Sequence, residues 1–130
     1  MLVLDASAVV EWSTATAKGA LVGERMEVER GLLACPHLLD VEVLHALRRL
    51  HRLGSLDAAA AGDAITRVGQ LRLVRIPHWL FARRIWDLRD TVSAYDAAYV
   101  AIAEALGASL LTCDARLGRS HGHAAAIEVL

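Results

Sequence analysis

Short, uninterrupted apolar runs alternate along this chain with longer stretches of helical pattern, and that alternation limits the folds open to it. Leu2-Val3-Leu4, Leu32-Leu33-Ala34, Leu71 to Ile76 and Ser109 to Thr112 read as strands. Between them, helical patterns run from Ser7 to Trp12, Lys18 to Arg30, Leu38 to Leu53, Ser55 to about Gly69, Trp79 to Arg89 and Ser93 to Leu106. Pro36, Gly54, Pro77 and Gly107 punctuate the segments, and Ser55 is placed to cap the helix that it opens. Ala115-Arg116-Leu117 is a short helical turn, and Ile127-Glu128-Val129 a last, edge strand. Strands without a polar face are buried on both sides, which predicts an α/β domain: a parallel sheet with helices on both faces. At 130 residues the chain makes a single domain, 1–130, with one real core.

Four acids stand out against this apolar background. Asp5 ends the run Met1-Leu2-Val3-Leu4, and Asp114 follows Leu110-Leu111-Thr112-Cys113. Asp96 opens the apolar helix Asp96-Ala97-Ala98-Tyr99-Val100-Ala101-Ile102-Ala103, and Glu42 interrupts an apolar stripe that includes Leu38, Leu39 and Ala46. A carboxylate near a core is costly unless something pairs with it, and no Lys or Arg lies at helical spacing beside these four. Divalent cations with a preference for oxygen, Mg²⁺ or Mn²⁺, would resolve the conflict. Ligands of parallel sheets bind outside the carboxyl ends of the strands, where Asp5 and Asp114 are expected. The pattern points to metal-dependent chemistry on phosphodiesters.

Each helical acid also has a plainer reading. Glu42 at the edge of its stripe could reach out to water, while Asp40, about 160° round the same helix, faces solvent. Asp96 lies where the helix dipole favours an acid, and Ser93-Ala94-Tyr95-Asp96 has capping-box spacing. Only the combination with Asp5 and Asp114 lifts Asp96 above capping.

Composition narrows the function classes. Hydrophobic residues make up 55% of the chain, which excludes disorder, and no apolar run approaches the roughly 18 residues of a membrane span. The first residues lack the basic segment and cleavage site of a secretion signal, so a cytoplasmic protein is expected. Cys35 and Cys113 make neither a disulfide framework nor a zinc site and read as inert thiols. The net charge of −1 rules out a uniformly basic surface, yet Lys18 is the lone lysine and Arg supplies every other cation. The arginines cluster at 48, 49 and 52, at 67, 72 and 75, and at 83, 84 and 89. Arg reads phosphate bidentately, so such clusters could hold RNA, or they are simply solvated helix faces.

The residues also carry a resemblance. Val3-Leu4-Asp5-Ala6-Ser7, Glu42-Val43-Leu44-His45-Ala46-Leu47, Tyr95-Asp96-Ala97-Ala98-Tyr99-Val100-Ala101 and Leu111-Thr112-Cys113-Asp114-Ala115-Arg116-Leu117 resemble the PIN-domain ribonucleases. Within that family the pattern is similar to VapC-type toxins of toxin–antitoxin pairs, over essentially the whole chain. The resemblance implies a central parallel sheet of four or five strands flanked by helices, and an acidic pocket for Mg²⁺ or Mn²⁺. Matched position by position, Asp5, Glu42, Asp96 and Asp114 are its acidic quartet, and Ser7 and Thr112 its supporting hydroxyls. It further implies an RNA substrate, a VapB-like antitoxin and a homodimer; Trp79 and Trp86, seven apart with Arg83 between them, are candidates for that interface or for plain core packing. His45 stands where many members carry Asn, and Arg116 and Leu117 follow Asp114 where some relatives have a further acid.

A carboxylate-held metal activates water for attack on phosphorus without any protein nucleophile. No HExxH, phosphate-binding glycine loop or Gly-x-Ser-x-Gly is present, and His121-Gly122-His123 reads as a polar surface loop. Two other classes compete with the endoribonuclease reading. An Asp-based phosphotransferase also uses strand-end aspartates, but Asp5-Ala6-Ser7 lacks a second Asp two residues on. A catalytically idle module binding RNA or a partner protein would keep the fold, and metal binding separates it from an enzyme.

Overall fold

The computed structural model describes residues 1–29 and 31–130. Among these residues five strands form one wholly parallel sheet: β1 (Leu2–Leu4), β2 (Leu33–Pro36), β3 (Leu73–Ile76), β4 (Ser109–Thr112) and β5 (Ile127–Val129). Their order across the sheet is β3-β2-β1-β4-β5. Helices α1 (Ala6–Ser13) and α2 (Ala17–Val28) link β1 to β2, and α3 (Leu39–Arg52) and α4 (Ala58–Gln70) link β2 to β3. Then α5 (Ala82–Asp87) and α6 (Ala94–Leu106) lead to β4, and α7 (Ala115–Gly118) to β5. The expected α/β architecture is therefore present, with the upper strand count.

Burial follows from the composition of the segments. Leu2, Val3 and Leu4 are wholly buried, as a central strand covered on both faces requires. α6 is buried over seven consecutive residues, Ala97 to Ala103, because its small side chains let it lie deep in the molecule. Burying a Leu- or Val-sized side chain contributes about 1.5–3 kcal/mol. Gly19 makes the α1–α2 corner possible: a Cβ there would lie 2.0 Å from the Glu11 carbonyl oxygen.

Several boundaries differ from the sequence reading, each for a local reason. The stretch from Trp79 to Arg89 is not one helix; His78–Phe81 forms a 3₁₀ turn after Pro77 and α5 starts only at Ala82. Phe81, with φ −108° and ψ 13°, breaks the helical run and packs its ring on the core. Asp57, not Ser55, caps α4 by accepting from the Ala60 amide at 2.8 Å. Gly54 (φ +76°) ends α3, and the Ser55 amide is spent on the Leu50 carbonyl in that turn. β3 begins at Leu73 because the Leu71 amide still bonds back to Val68 at the end of α4. Arg30, the expected end of the second helix, lies outside the described residues; α2 ends at Val28.

Candidate metal and phosphodiester site

The strand order fixes where a site can form. From β1 the chain steps outward through β2 to β3, then returns across β1 to β4 and β5, so the connections reverse between β1 and β4. That reversal leaves a crevice at the carboxyl ends of those two strands. Asp5 directly follows β1, and Asp114 follows β4 by two residues.

Helix direction brings the other two acids to the same edge. A helix between parallel strands runs back antiparallel to them, so its N-terminus opens at the carboxyl edge of the sheet. Glu42 and Asp96 lie in the first turns of α3 and α6, while Asp5 and Asp114 are the N-cap residues of α1 and α7. All four acids thus occupy helix N-termini, whose partial positive charge favours carboxylates. Asp96 keeps the local role anticipated for its neighbourhood as well: Ser93 caps α6 by accepting from the Asp96 amide at 3.1 Å.

The two hydroxyls tie β1 to β4 around Asp5. Ser7 Oγ and Thr112 Oγ1 both donate to Asp5 Oδ2, at 2.5 and 2.7 Å. Ser7 Oγ accepts from the Cys113 amide at 2.9 Å, and Thr112 Oγ1 from the Asp114 amide at 3.0 Å. Thr112 is fully buried and Asp5 is 7% exposed. One carboxylate oxygen is therefore locked, and Oδ1 accepts no hydrogen bond among the described residues.

Glu42 and Asp96 are half-buried. Burial pushes the Glu42 carboxyl up; the Tyr99 hydrogen bond pulls it back, and the charges of Asp5 and Asp96 raise it further. Burial likewise raises Asp96, opposed by the Ser93 hydroxyl and reinforced by Asp5 and Asp114. The acids feel one another's charge, as members of one cluster must. Tyr99 was part of the motif but its task was not legible from sequence. Its hydroxyl donates to Glu42 Oε2 at 2.5 Å, from a helix 57 residues away in sequence. Burial, then the bond to Glu42, keeps this phenol protonated far above its ordinary range.

Asp114 has a basic partner although no Lys or Arg lies at helical spacing beside it. Arg116, two residues on, bonds both Asp114 oxygens, from its amide at 2.7 Å and its guanidinium at 3.1 Å. A helical-spacing search misses the pair because it closes across the first turn of α7, only two residues apart. Burial pushes the Asp114 carboxyl up, but these bonds outweigh it and leave it below its ordinary value. Among the described residues, no three His, Cys, Asp or Glu side chains stand already arranged around a single metal position. The donor set nevertheless suits a hard divalent cation: it consists of carboxylate oxygens at one sheet edge, and the free Asp5 Oδ1 is among them.

The other residues singled out in the sequence are paired elsewhere, exposed or inert. Asp40 does not simply face solvent; it forms a bidentate pair with Arg75 at 2.7 and 2.8 Å. Arg84 is similarly committed to Glu104. These pairs remove one arginine each from two of the sequence clusters as free phosphate ligands. His45 is exposed. Burial pushes the Cys35 thiol up to about 12 and raises the half-buried Cys113 as well, consistent with inert thiols. His121-Gly122-His123 lies in the surface loop before β5, with His123 Nε2 hydrogen-bonded to Ser120 Oγ at 2.8 Å.

Residues 2–121 match the family described as PIN domain. The chain belongs to the PIN-domain family. This PIN domain is 40% identical to ribonuclease VapC12 of Mycobacterium tuberculosis over 130 residues, which covers all of the chain and 99% of that relative. It is also 40% identical to ribonuclease VapC9 of the same species over 119 residues, covering 90% of the chain and 88% of the relative. A Pyrobaculum aerophilum protein of known crystal structure superposes with a TM-score of 0.69 at 27% identity, over 98% of this PIN domain and 83% of that chain. The Rickettsia felis VapBC2 structure, bound to a promoter DNA fragment, contains a chain with the same fold; the TM-score is 0.66 at 12% identity, over 98% and 97% of the two chains. No helix among the described residues is long and apolar enough to cross a membrane.

Proposed function

We propose that this PIN domain is an endoribonuclease dependent on Mg²⁺ or Mn²⁺ and the toxin of a VapBC-type pair, acting in the cytoplasm. What supports this reading is that the four carboxylates belong to the caps or first turns of four helices, and that Asp5 and Asp96 act on Glu42, and Asp5 and Asp114 on Asp96, through their charge. The VapC ribonucleases at 40% identity support RNA as the substrate class.

Asp5, Glu42, Asp96 and Asp114 would hold the cation. When bound, such an ion lowers the pKa of water and offsets charge on a leaving oxygen. Ser7 and Thr112 fix the Asp5 carboxylate through one oxygen, leave the second without a hydrogen bond among the described residues, and join β1 to β4. Glu42 and Asp96, both raised by burial and by the charge of Asp5, gain most from a cation. Arg48, Arg49 and Arg52 lie at exposed α3 positions and form no ion pair among the described residues, which leaves them free to contact phosphate.

The test is incubation with total RNA, with and without Mn²⁺. Cleavage is expected with the metal and not in EDTA, and Asp5→Asn, Asp96→Asn or Asp114→Asn should abolish it. Activity that survives EDTA, or all three substitutions, defeats the reading. Expression of the chain alone should arrest growth, Asp5→Asn should relieve the arrest, and co-expression of a VapB-like neighbour should restore growth.

The homodimer belongs to the same proposal. Trp79 is 81% exposed and Trp86 67%, so core packing does not account for them. Both line a groove of about 460 Å³ with Ile85, Val92 and Tyr95, and Arg89 stacks on Trp86 at 4.9 Å. Exposed Trp and Arg of this kind are typical of interface centres. Trp12, by contrast, packs on the core beside Gly23. A monomeric mass by light scattering at micromolar concentration would remove the dimer.

A further inference from the structure

A buried tyrosine of α6 is spent on a group in another helix. Tyr99 is 1% exposed, so its ring is packed on every side, and its one polar atom emerges at Glu42. Tyr99 lies three residues beyond Asp96, hence on the same face of α6. One face of one helix therefore presents a proposed ligand and, a turn deeper, a hydroxyl donor to a second ligand on α3.

The geometry divides the Glu42 carboxylate into two oxygens with different duties. Oε2 accepts from Tyr99 at 2.5 Å, and Oε1 accepts no hydrogen bond among the described residues. A Glu side chain at a helix edge has three rotatable bonds and can swing its head to water. Repulsion from Asp5 and Asp96 would favour that swing, and the Tyr99 hydroxyl opposes it from a position that core packing fixes. Asp5 is treated in the same way by Ser7 and Thr112, which leave it one committed oxygen and one free. Each of these two acids is thus anchored through a single oxygen.

We infer that Tyr99 is a positioning residue of the metal site: its hydroxyl holds Glu42 turned into the crevice with Oε1 free to coordinate a divalent cation. This rests on the metal-dependent reading proposed above. Hydrogen bonds that orient metal ligands commonly change metal affinity by about 10–100-fold when removed, and a loss of that size is expected here.

Tyr99→Phe tests the inference because it keeps the ring and removes one oxygen. Mn²⁺ binding to the purified, folded variant, read by calorimetry or electron paramagnetic resonance, should weaken about tenfold or more. In a Glu42→Gln background the same change should add little, since the group it positions is already altered. A second measurement covers the case in which Tyr99→Phe does not fold. The chain has two tyrosines, so ¹³Cζ labelling gives two resonances, assigned with Tyr95→Phe. Titration of the wild type with Mg²⁺ should shift the Tyr99 signal with the affinity of metal binding, and should not in Glu42→Gln. A folded Tyr99→Phe with unchanged Mn²⁺ affinity, or a Tyr99 signal indifferent to Mg²⁺, overturns the positioning role alone. A wild-type chain that binds neither ion overturns the metal reading and the inference with it.

Discussion

Thr112 Oγ1 donates a 2.7 Å hydrogen bond to Asp5 Oδ2 across 107 residues of sequence, and it does so fully buried between two adjacent parallel strands. The same oxygen accepts the Asp114 amide. One hydroxyl thus couples the acid after β1 to the acid after β4.

Thr112→Val preserves shape and deletes that coupling. It leaves a buried carboxylate with one donor fewer and the Asp114 amide unmatched, so unfolding free energy should drop by about 1–3 kcal/mol. RNA cleavage should fall without vanishing, in contrast to Asp5→Asn. Urea denaturation and a cleavage time course measure the two effects; unchanged stability would mean that the hydroxyl is not part of the Asp5 anchor.

Stability without metal should depend on pH through Glu42 and Asp96. Burial, with the neighbouring charges, raises both above their ordinary values of 4.5 and 3.8. Between the ordinary and the raised values the folded state holds protons that the unfolded chain has released. Stability from these groups therefore falls as pH climbs through that window and recovers on acidification. Asp114, Glu29, Glu104 and Glu128 are lowered, so their contributions are lost only as pH falls below the ordinary carboxylate range. In EDTA, Asp96→Asn should melt higher than wild type at neutral pH, with the gap closing toward pH 4. Equal melting curves at both pH values would show that the acids do not share a site.

Arg116→Ala should separate stability from metal affinity. The Arg116 side chain is 81% exposed, so loss of its pair with Asp114 should leave the melting temperature almost unchanged. It also removes a cation that competes for the same carboxylate, so Mn²⁺ should bind more tightly. Calorimetry showing equal or weaker Mn²⁺ binding would indicate that Asp114 is not a ligand, or that Arg116 supports it.

Gly19→Ala should be among the most damaging conservative changes away from the acids. The added methyl would meet the Glu11 carbonyl oxygen at 2.0 Å and the Trp12 Cα at 2.9 Å, both backbone, so α1 and α2 must move apart. Overpacking of this kind costs about 1–3 kcal/mol. Gly62→Ala, which meets nothing within 4 Å in the middle of α4, is the control and should be neutral or stabilising. Thermal melts of the two variants that coincide would contradict the packing described for the corner.

The sequence alone determined the elements and the edge at which chemistry would gather. Strands such as Leu2-Val3-Leu4 carry no polar face, and only burial on both sides satisfies them; a parallel sheet follows. Asp5 lies directly beyond such a run and Asp114 two residues beyond β4, so their place at strand ends could be read from one-dimensional order. Local chemistry was legible for the same reason: Ser93 as the cap of α6 and Gly107 as its stop depend on near neighbours only. The tertiary structure decided what depends on distance in space. Tyr99 of α6 meets Glu42, and Arg75 of β3 meets Asp40, through side chains that reach the first turn of α3 across the fold, and no spacing encodes those meetings. It also decided that Trp79 and Trp86 face outward, since a large aromatic is equally at home in a core or an interface until its neighbours are in place.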